Sequence, residues 1–394
     1  MKYFTNYMTG EVTMKFLFAS DSFKGTLSSE QIITLLDAAA RKVFPDCETM
    51  GIPVADGGEG TIDAVISVLH GSIHEVDVHG PLMEEVVSRY GETGNGAAVI
   101  EMAAASGLPM VPVDKRDPRV TTTYGTGELI KTALDRGCRD ITIAIGGSAT
   151  NDGGMGAMRA LGIHFLDENG EELPGCGNDL ARVADIDISG LHRAVKDAKF
   201  TIMCDVNNPL TGPDGATYTF GKQKGGSPEI LDELEQGMIH YAALIREKMG
   251  TDVDQIPGSG AAGGLGAAFC VFLKAEMKSG IETVLDLIHF DELLEGVDLV
   301  ITGEGRIDWQ SAFGKVPSGI GNRCRKKGIP AIAIVGGMGD KAEMIFDHGI
   351  DSIITTINGA MGLDEALERA EELYAGAAER AFRMVKAGMN ISVR

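Results

Sequence analysis

Short β-branched or apolar runs recur along the chain, at residues 16–19, 97–102, 141–145, 201–204, 299–302, 331–335 and 352–355. Runs of that length without polar alternation suit strands buried on both faces of a parallel sheet. Between many of them the apolar residues return every three or four positions. Over residues 28–44 the stripe is Ile32, Leu35, Leu36, Ala39, Ala40 and Val43, opened by the capping-box pair Ser28 and Gln31. Residues 363–387 repeat the pattern with Leu367, Ala370, Tyr374, Ala377, Ala381 and Val385, which predicts a second helix facing a sheet. Strand and helix alternate at both ends of the chain, which predicts an α/β domain with a mainly parallel sheet.

The middle reads differently. Residues 72–122 carry a shorter alternation expected of antiparallel strands, with Gly80-Pro81 and Gly94-Asn95-Gly96 as turn signals. Residues 205–227 are rich in Asn, Pro, Gly and Thr and predict a long ordered loop. A chain of 394 residues is too long for one core. The expected organisation is two-domain α/β: a discontinuous domain from residues 14–70 plus 287–394, with a second α/β domain, 71–286, inserted. Residues 1–13 precede a second methionine, Met14, and read as a start-site extension or loose tail.

Composition narrows the function. The net charge is −22, from 35 basic and 57 acidic residues, so phosphodiester backbones and anionic lipid are repelled, and neither nucleic acid nor a membrane is an expected partner. A bound phosphate must then be met by local cations and backbone amides. Gly, at 53 residues, is about twice its usual share and falls in clusters after apolar runs, where ligand loops lie. The six cysteines have no CxxC or zinc spacing; several sit in apolar surroundings and read as core thiols, and a reducing cytoplasm fits. No stretch resembles a signal peptide or a membrane span.

Six segments, most of them glycine-rich or glycine-flanked, carry candidate chemistry. DLVITGEGRIDWQSAFG, at 298–314, delivers a buried run into Gly303 and Gly305, which would let the backbone approach a ligand; the carboxylates Glu304 and Asp308, the cations Arg306 and Lys315, and Ser311 accompany them. That mixture suits a polyanionic, metal-carrying substrate such as a nucleoside triphosphate; the alternative is a strand-to-helix turn with ordinary surface charges. At 21–26, Ser22 and Lys24 lie between a strand and a helix N-terminus, where free amides favour anions, although a surface lysine is equally at home there. At 55–61, Gly57 and Gly58 would approach a ligand while Asp56 bound Mg2+ or a substrate hydroxyl; Glu59 reads as a ligand or as a first-turn carboxylate.

The loop at 146–154 presents amides together with Ser148, Thr150, Asn151 and Asp152, or else a helix cap. Asp205, at a strand end and followed by Asn207, is a candidate general base or metal ligand, or the start of an Asx-turn before Pro209. Lys222 and Lys224 follow in a glycine-flanked loop. Two look-alikes fail. GSGAAG at 258–263 lacks the strand a dinucleotide fingerprint needs, and the Gly314-Lys315 pair lacks the rest of a phosphate-binding P-loop. No GxSxG or HExxH occurs, and no histidine sits beside a convincing nucleophile.

In order along the chain, SDSFKGTLSS (20–29), ADGGEGT (55–61), GGSATNDGG (146–154), CDVNNPLTGPDGA (204–216), GAAGGLGAA (260–268) and TGEGRIDWQSAFGKVPSG (302–319) resemble the bacterial glycerate kinase family, of the glycerate 2-kinase type. The resemblance runs from Met14 to the C-terminus. It implies a flavodoxin- or Rossmann-like half, an active site in a cleft between domains, and ATP with Mg2+ as cofactors. The implied reaction is phosphorylation of D-glycerate to 2-phosphoglycerate; assembly into a homo-oligomer is compatible with it. Under that resemblance Lys24, Lys224, Arg306 and Lys315 meet phosphate and carboxylate oxygens, and Asp56 and Asp205 serve as base or Mg2+ ligand, with Asp152 and Asp308 behind them. Asp205, Lys24, Asp56 and Arg306 form the catalytic set; Ser22, Gly57, Gly58, Ser148, Asn151, Asn207, Glu304 and Ser311 join the binding set. Lys222 in place of an expected proline, Trp309 in place of a small polar residue, and 356–361 without a proline-rich turn depart from the family pattern. The alternatives are a kinase of a related small hydroxy acid, a 3-phosphoglycerate-forming enzyme, and a non-catalytic metabolite sensor.

Overall fold

The structure, a computed structural model, describes residues 13–58 and 60–391. Glu59 and, Thr13 excepted, the expected N-terminal extension lie outside the described residues. The strands in chain order are β1 Lys15–Phe18, β2 Glu48–Gly51, β3 Ser72–His79, β4 Glu85–Glu92, β5 Ala97–Glu101, β6 Asp140–Ala144, β7 His164–Leu166, β8 Asp185–Asp187, β9 Lys199–Met203, β10 Glu276–Lys278, β11 Leu299–Thr302, β12 Arg306–Ile307, β13 Ala331–Val335, β14 Gly337–Met338 and β15 Ser352–Thr355. Residue contacts divide the chain into two units: one runs to Asp56 and resumes at Val284, the other is Gly57–Thr283.

The first unit is an all-parallel sheet in the order β15-β13-β11-β1-β2. Its inner strands β1, β11 and β13 are almost wholly buried, as the uninterrupted apolar runs predicted, whereas the edge strands β15 and β2 are half-buried or exposed. Phe16, Phe18, Ile301 and Ile334 meet Ile32, Leu36 and Ala40 of helix Ser29–Val43 and Tyr374, Ala378 and Phe382 of helix Ala370–Met389. Phe382 anchors that layer, its ring centroid 5.1 Å from Phe16 and 6.1 Å from Phe18. The capping box at Ser28 and Gln31 forms as its sequence predicted. From β1 the chain winds outward to β2, and from β11 the other way to β13 and β15. The strand order therefore reverses between β1 and β11, and the crevice beyond the carboxyl ends at such a switch point is where open α/β sheets take ligands.

The C-terminal helix departs from the reading of its sequence. It breaks at Arg369 into Leu363–Glu368 and Ala370–Met389. The longer piece buries Leu373, Tyr374 and Ala377, whereas Leu363 and Leu367 stay 74% and 48% exposed.

The second unit carries a six-stranded sheet, β10-β9-β6-β5-β4-β3, parallel from β10 to β5 and antiparallel at β4 and β3. Antiparallel pairing ends at β5, short of the residue 122 that alternation suggested. The chain beyond it forms the short helical turns Ala103–Ser106, Leu108–Met110 and Val113–Lys115. Pro109, Pro112 and Pro118 lack the N–H a strand ladder needs, which accounts for the change. Residues 205–227 are ordered but not wholly loop, since helix Ala216–Phe220 and the turn Lys222–Lys224 lie within them. The unit limits fall at 56/57 and 283/284 rather than 70/71 and 286/287. Helix Thr61–Leu69 accounts for most of the difference: its Ile62 N–H donates to Glu101 of β5 and its Asp63 pairs with Arg89 of β4 at 2.6 Å.

Candidate active site

A cavity of about 750 Å³ opens at the carboxyl ends of the first unit's strands, within the usual range for ligand sites. It gathers Ser22, Lys24, Asp56, Glu304, Arg306 and Lys315 from the sequence-derived set, and Asp21, which was not in that set. Each comes from a loop that follows a strand: β1 delivers Asp21 to Lys24, β2 Asp56, and β11 Glu304 and Arg306. Asp21 is held against β11 by its N–H, which donates to the Gly303 carbonyl at 3.0 Å. Its carboxylate accepts the Ser22 N–H at 2.7 Å. The signal that finds Asp21 is the one that found Asp205, a carboxylate set just past a buried strand.

Electrostatically the cavity is mixed. Burial lifts the Asp21 carboxyl to about 6, with Asp56 adding to the rise and the Ser22 amide, Lys24 and Lys315 opposing it. Glu304, only 7% exposed, is lifted to about 7, chiefly by burial; the Ser311 hydroxyl and Lys315 oppose this while Asp21 and Asp56 add to it. One Glu304 oxygen has no hydrogen-bond partner. Asp308 and Ser311 do not line the cavity. The Asp308 carboxylate accepts the Gln310 N–H, and its own N–H donates to the Ser311 hydroxyl, so the two hold the turn before Lys315. Gly303 has a packing reason to be glycine: a Cβ there would stand 1.9 Å from the Ile334 carbonyl of β13. Gly305 lines the cavity, and a Cβ on it would meet nothing closer than 3.7 Å.

Among the described residues, no three His, Cys, Asp or Glu side chains stand close enough to cage a metal ion by themselves. Mg2+ characteristically takes one or two carboxylates and fills its remaining positions with water and substrate phosphate oxygens. The hard-oxygen donors Asp21 and Asp56 fit an ion that arrives with a nucleotide.

Glu304 supplies a stability prediction. Its folded pKa lies above the unfolded value of 4.5, so the folded chain keeps a proton that the unfolded chain has released. Stability of the empty protein therefore falls as pH rises through that window and is lowest above about 7. Glu304→Gln removes the ionisation and keeps an acceptor for Ser311. Its stability advantage over wild type is expected to grow between pH 5 and pH 8 by on the order of 3 kcal/mol at most. Urea titrations at both pH values check this, and a pH-independent difference refutes it.

On the second unit, the 146–154 loop divides in two. Gly146 and Gly147 are exposed beyond β6, whereas Ser148, Thr150, Asn151 and Asp152 are buried. Asp152 accepts the Thr123 N–H at 2.7 Å, the Thr123 hydroxyl at 2.8 Å, the Gly154 N–H at 3.1 Å and the Gly156 N–H at 3.3 Å. Lys224 is also interior, 2% exposed, and its ammonium donates to the Thr150 carbonyl at 2.6 Å. Burial lowers its pKa to about 7 and raises that of Asp152, each towards the neutral form; attraction to Asp152 opposes the fall at Lys224 and the four donors oppose the rise at Asp152. Neither side chain faces solvent: both brace the loop that presents Gly146 and Gly147. Asn151 donates to the Thr217 hydroxyl at 3.2 Å, inside the same interior.

Asp205, past the end of β9, is exposed, and its Oδ1 accepts the Gly280 N–H at 3.0 Å; Asn207 beside it is exposed as well. Gly57 is buried against Met203 and Gly280, and the Gly58 carbonyl accepts the Thr61 hydroxyl at 2.7 Å.

Cations together with metal-compatible carboxylates at the switch point of an open parallel sheet are what an α/β phosphotransferase requires. Residues 16–386 match the profile of the glycerate kinase family. A glycerate 2-kinase from Escherichia coli K12 is 46% identical over 382 residues, covering 97% of this chain and 99% of that one. A glycerate kinase from Bacillus subtilis 168 is 44% identical over 380 residues, covering 96% and 98%. The crystal structure of a candidate glycerate kinase 2 from Salmonella typhimurium LT2 superposes with a TM-score of 0.87 at 43% identity, over 96% of this chain and 100% of that one. The chain belongs to the glycerate kinase family and is an enzyme of the phosphotransferase class. Among the described residues, no helix is long and apolar enough to cross a membrane.

Proposed function

We propose that the protein transfers the γ-phosphoryl group of ATP to the 2-hydroxyl of D-glycerate, giving 2-phosphoglycerate and ADP. The observation that carries this reading is the single cavity that collects Lys24, Arg306 and Lys315 with Asp21, Asp56 and Glu304, in a chain whose net charge is −22. In so negative a chain a bound polyanion must be met by local cations, and this cavity places three of them together. The reading gives the nucleotide phosphates to these groups and the acceptor, with Asp205 as base, to the second unit, where the exposed amides of Gly146 and Gly147 and the side chain of Asn207 are available to it. The relatives named glycerate kinase and glycerate 2-kinase support the choice of acceptor and of hydroxyl.

In the proposed step the 2-oxygen of glycerate bonds to the γ-phosphorus, and the bond from that phosphorus to the ADP oxygen breaks. Asp205 takes the hydroxyl proton. Lys24, Lys315 and Arg306 neutralise charge on the transferring and leaving oxygens, the main work a protein does in phosphoryl transfer. Mg2+, when bound with the nucleotide, would be held through Asp21 and Asp56 and would add positive charge at the phosphates. All six cysteines are free thiols, in keeping with a reducing compartment such as the cytoplasm.

Incubation with MgATP and D-glycerate, followed by 31P NMR of the product, tests activity, acceptor and regiochemistry together. The expected signal is that of 2-phosphoglycerate. A 3-phosphoglycerate signal overturns the choice of hydroxyl, and turnover of another small hydroxy acid in place of glycerate overturns the acceptor.

A further inference from the structure

The cavity of the first unit is lined by two chemical kinds of side chain: Lys24, Lys315, Arg306 and the carboxylates, and the apolar Met338, Ile357, Met361, Leu363, Leu367 and Ala370. Three of these apolar side chains lie open to solvent, Leu363 at 74%, Met338 at 52% and Leu367 at 48%. Leu363 and Leu367 are out of the sheet's core because the C-terminal helix breaks at Arg369, whose guanidinium pairs with Glu365 on one side of the break and Glu372 on the other. The break turns Leu363 and Leu367 towards the cavity, whereas an unbroken helix would have continued its apolar stripe onto the sheet. A cavity of about 750 Å³ that combines exposed apolar side chains with three cations is much larger than a three-carbon acid needs. Thr356, which also lines the cavity, donates its hydroxyl to the Gly336 carbonyl at 3.4 Å.

We propose that the purine base of the donor nucleotide lies against Met338, Ile357, Leu363 and Leu367, with its phosphates directed towards Lys24 and Lys315. The inference rests on the kinase reading above and adds where the nucleotide lies. The base is held by removal of apolar surface from water and by dispersion, the means these side chains offer. The segment after β15 thereby sets affinity for the donor without touching the acceptor.

The test is the double variant Leu363→Ser with Leu367→Ser, both at exposed positions where a neutral polar residue leaves the sheet core untouched. The KM for ATP is expected to rise about tenfold or more while the KM for glycerate stays at its wild-type value. Photolabelling the wild-type enzyme with 8-azido-ATP is expected to mark a peptide within residues 336–370. If wild type makes no phosphoglycerate from MgATP, the kinase reading itself fails. If wild type is active but the double variant keeps its KM for ATP, or raises that for glycerate instead, the placement of the base is overturned and the kinase reading stands. A label confined to peptides outside 336–370 overturns the placement as well.

Discussion

Asp205→Asn is expected to lower kcat by about 10²–10⁴-fold, the usual contribution of a positioned general base. That range corresponds to roughly 3–5 kcal/mol in the activation barrier. Asp205 is exposed beyond β9, and its Oδ1 accepts the Gly280 N–H at 3.0 Å. The amide oxygen of asparagine accepts that bond equally well, so the loop keeps its shape and the melting temperature is expected to hold within a few degrees. What disappears is the negative charge and the capacity to take a proton. Steady-state kinetics with saturating glycerate and ATP read the effect as a fall in kcat with little change in either KM. Wild-type turnover in the variant would move the base to Asp21 or Asp56, both in the cavity of the first unit.

How much of this was legible in the sequence depends on whether a signal is local. The inner strands of the first sheet could be read because burial on both faces leaves an uninterrupted apolar run, and Leu299–Thr302 is fully buried; the edge strand β2, half-buried to exposed, has no such run and was not read. The cavity loops could be read because a glycine or carboxylate just after such a run stands at a strand's carboxyl end. Asp21 escaped because Lys24, three residues on, offered the more familiar phosphate contact. Asp152 and Lys224 were read as ligand groups because their loops are polar and glycine-rich. Their burial depends on residues far away in sequence: Gly263 lies close enough that a Cβ on it would stand 2.0 Å from the Thr150 carbonyl, and Thr123 donates twice to Asp152. Periodicity at 363–387 was correctly helical, but its phase slips at Arg369, and no composition signal marks a break between two good helical segments.

Asp152→Ala is expected to be the most damaging single change to the second unit. The carboxylate is fully buried and receives four hydrogen bonds, from the Thr123 amide and hydroxyl and from the Gly154 and Gly156 amides. Truncation leaves three backbone N–H groups in the interior with no acceptor. A buried donor left unsatisfied costs about 1–3 kcal/mol, and the cavity and the lost attraction to Lys224 add to that. A total on the order of 3–5 kcal/mol takes a large share of the roughly 5–15 kcal/mol by which a typical protein is stable. Asp152→Asn is expected to fall between, because its amide keeps one acceptor but turns an NH₂ group on donors that need an oxygen. Lys224→Met, which deletes the ammonium at the Thr150 carbonyl, should combine non-additively with Asp152→Asn, since the two side chains brace one loop. Urea-unfolding midpoints of the single and double variants measure the coupling. An Asp152→Ala protein that unfolds at the wild-type midpoint would mean that this buried cluster does not hold the loop in place.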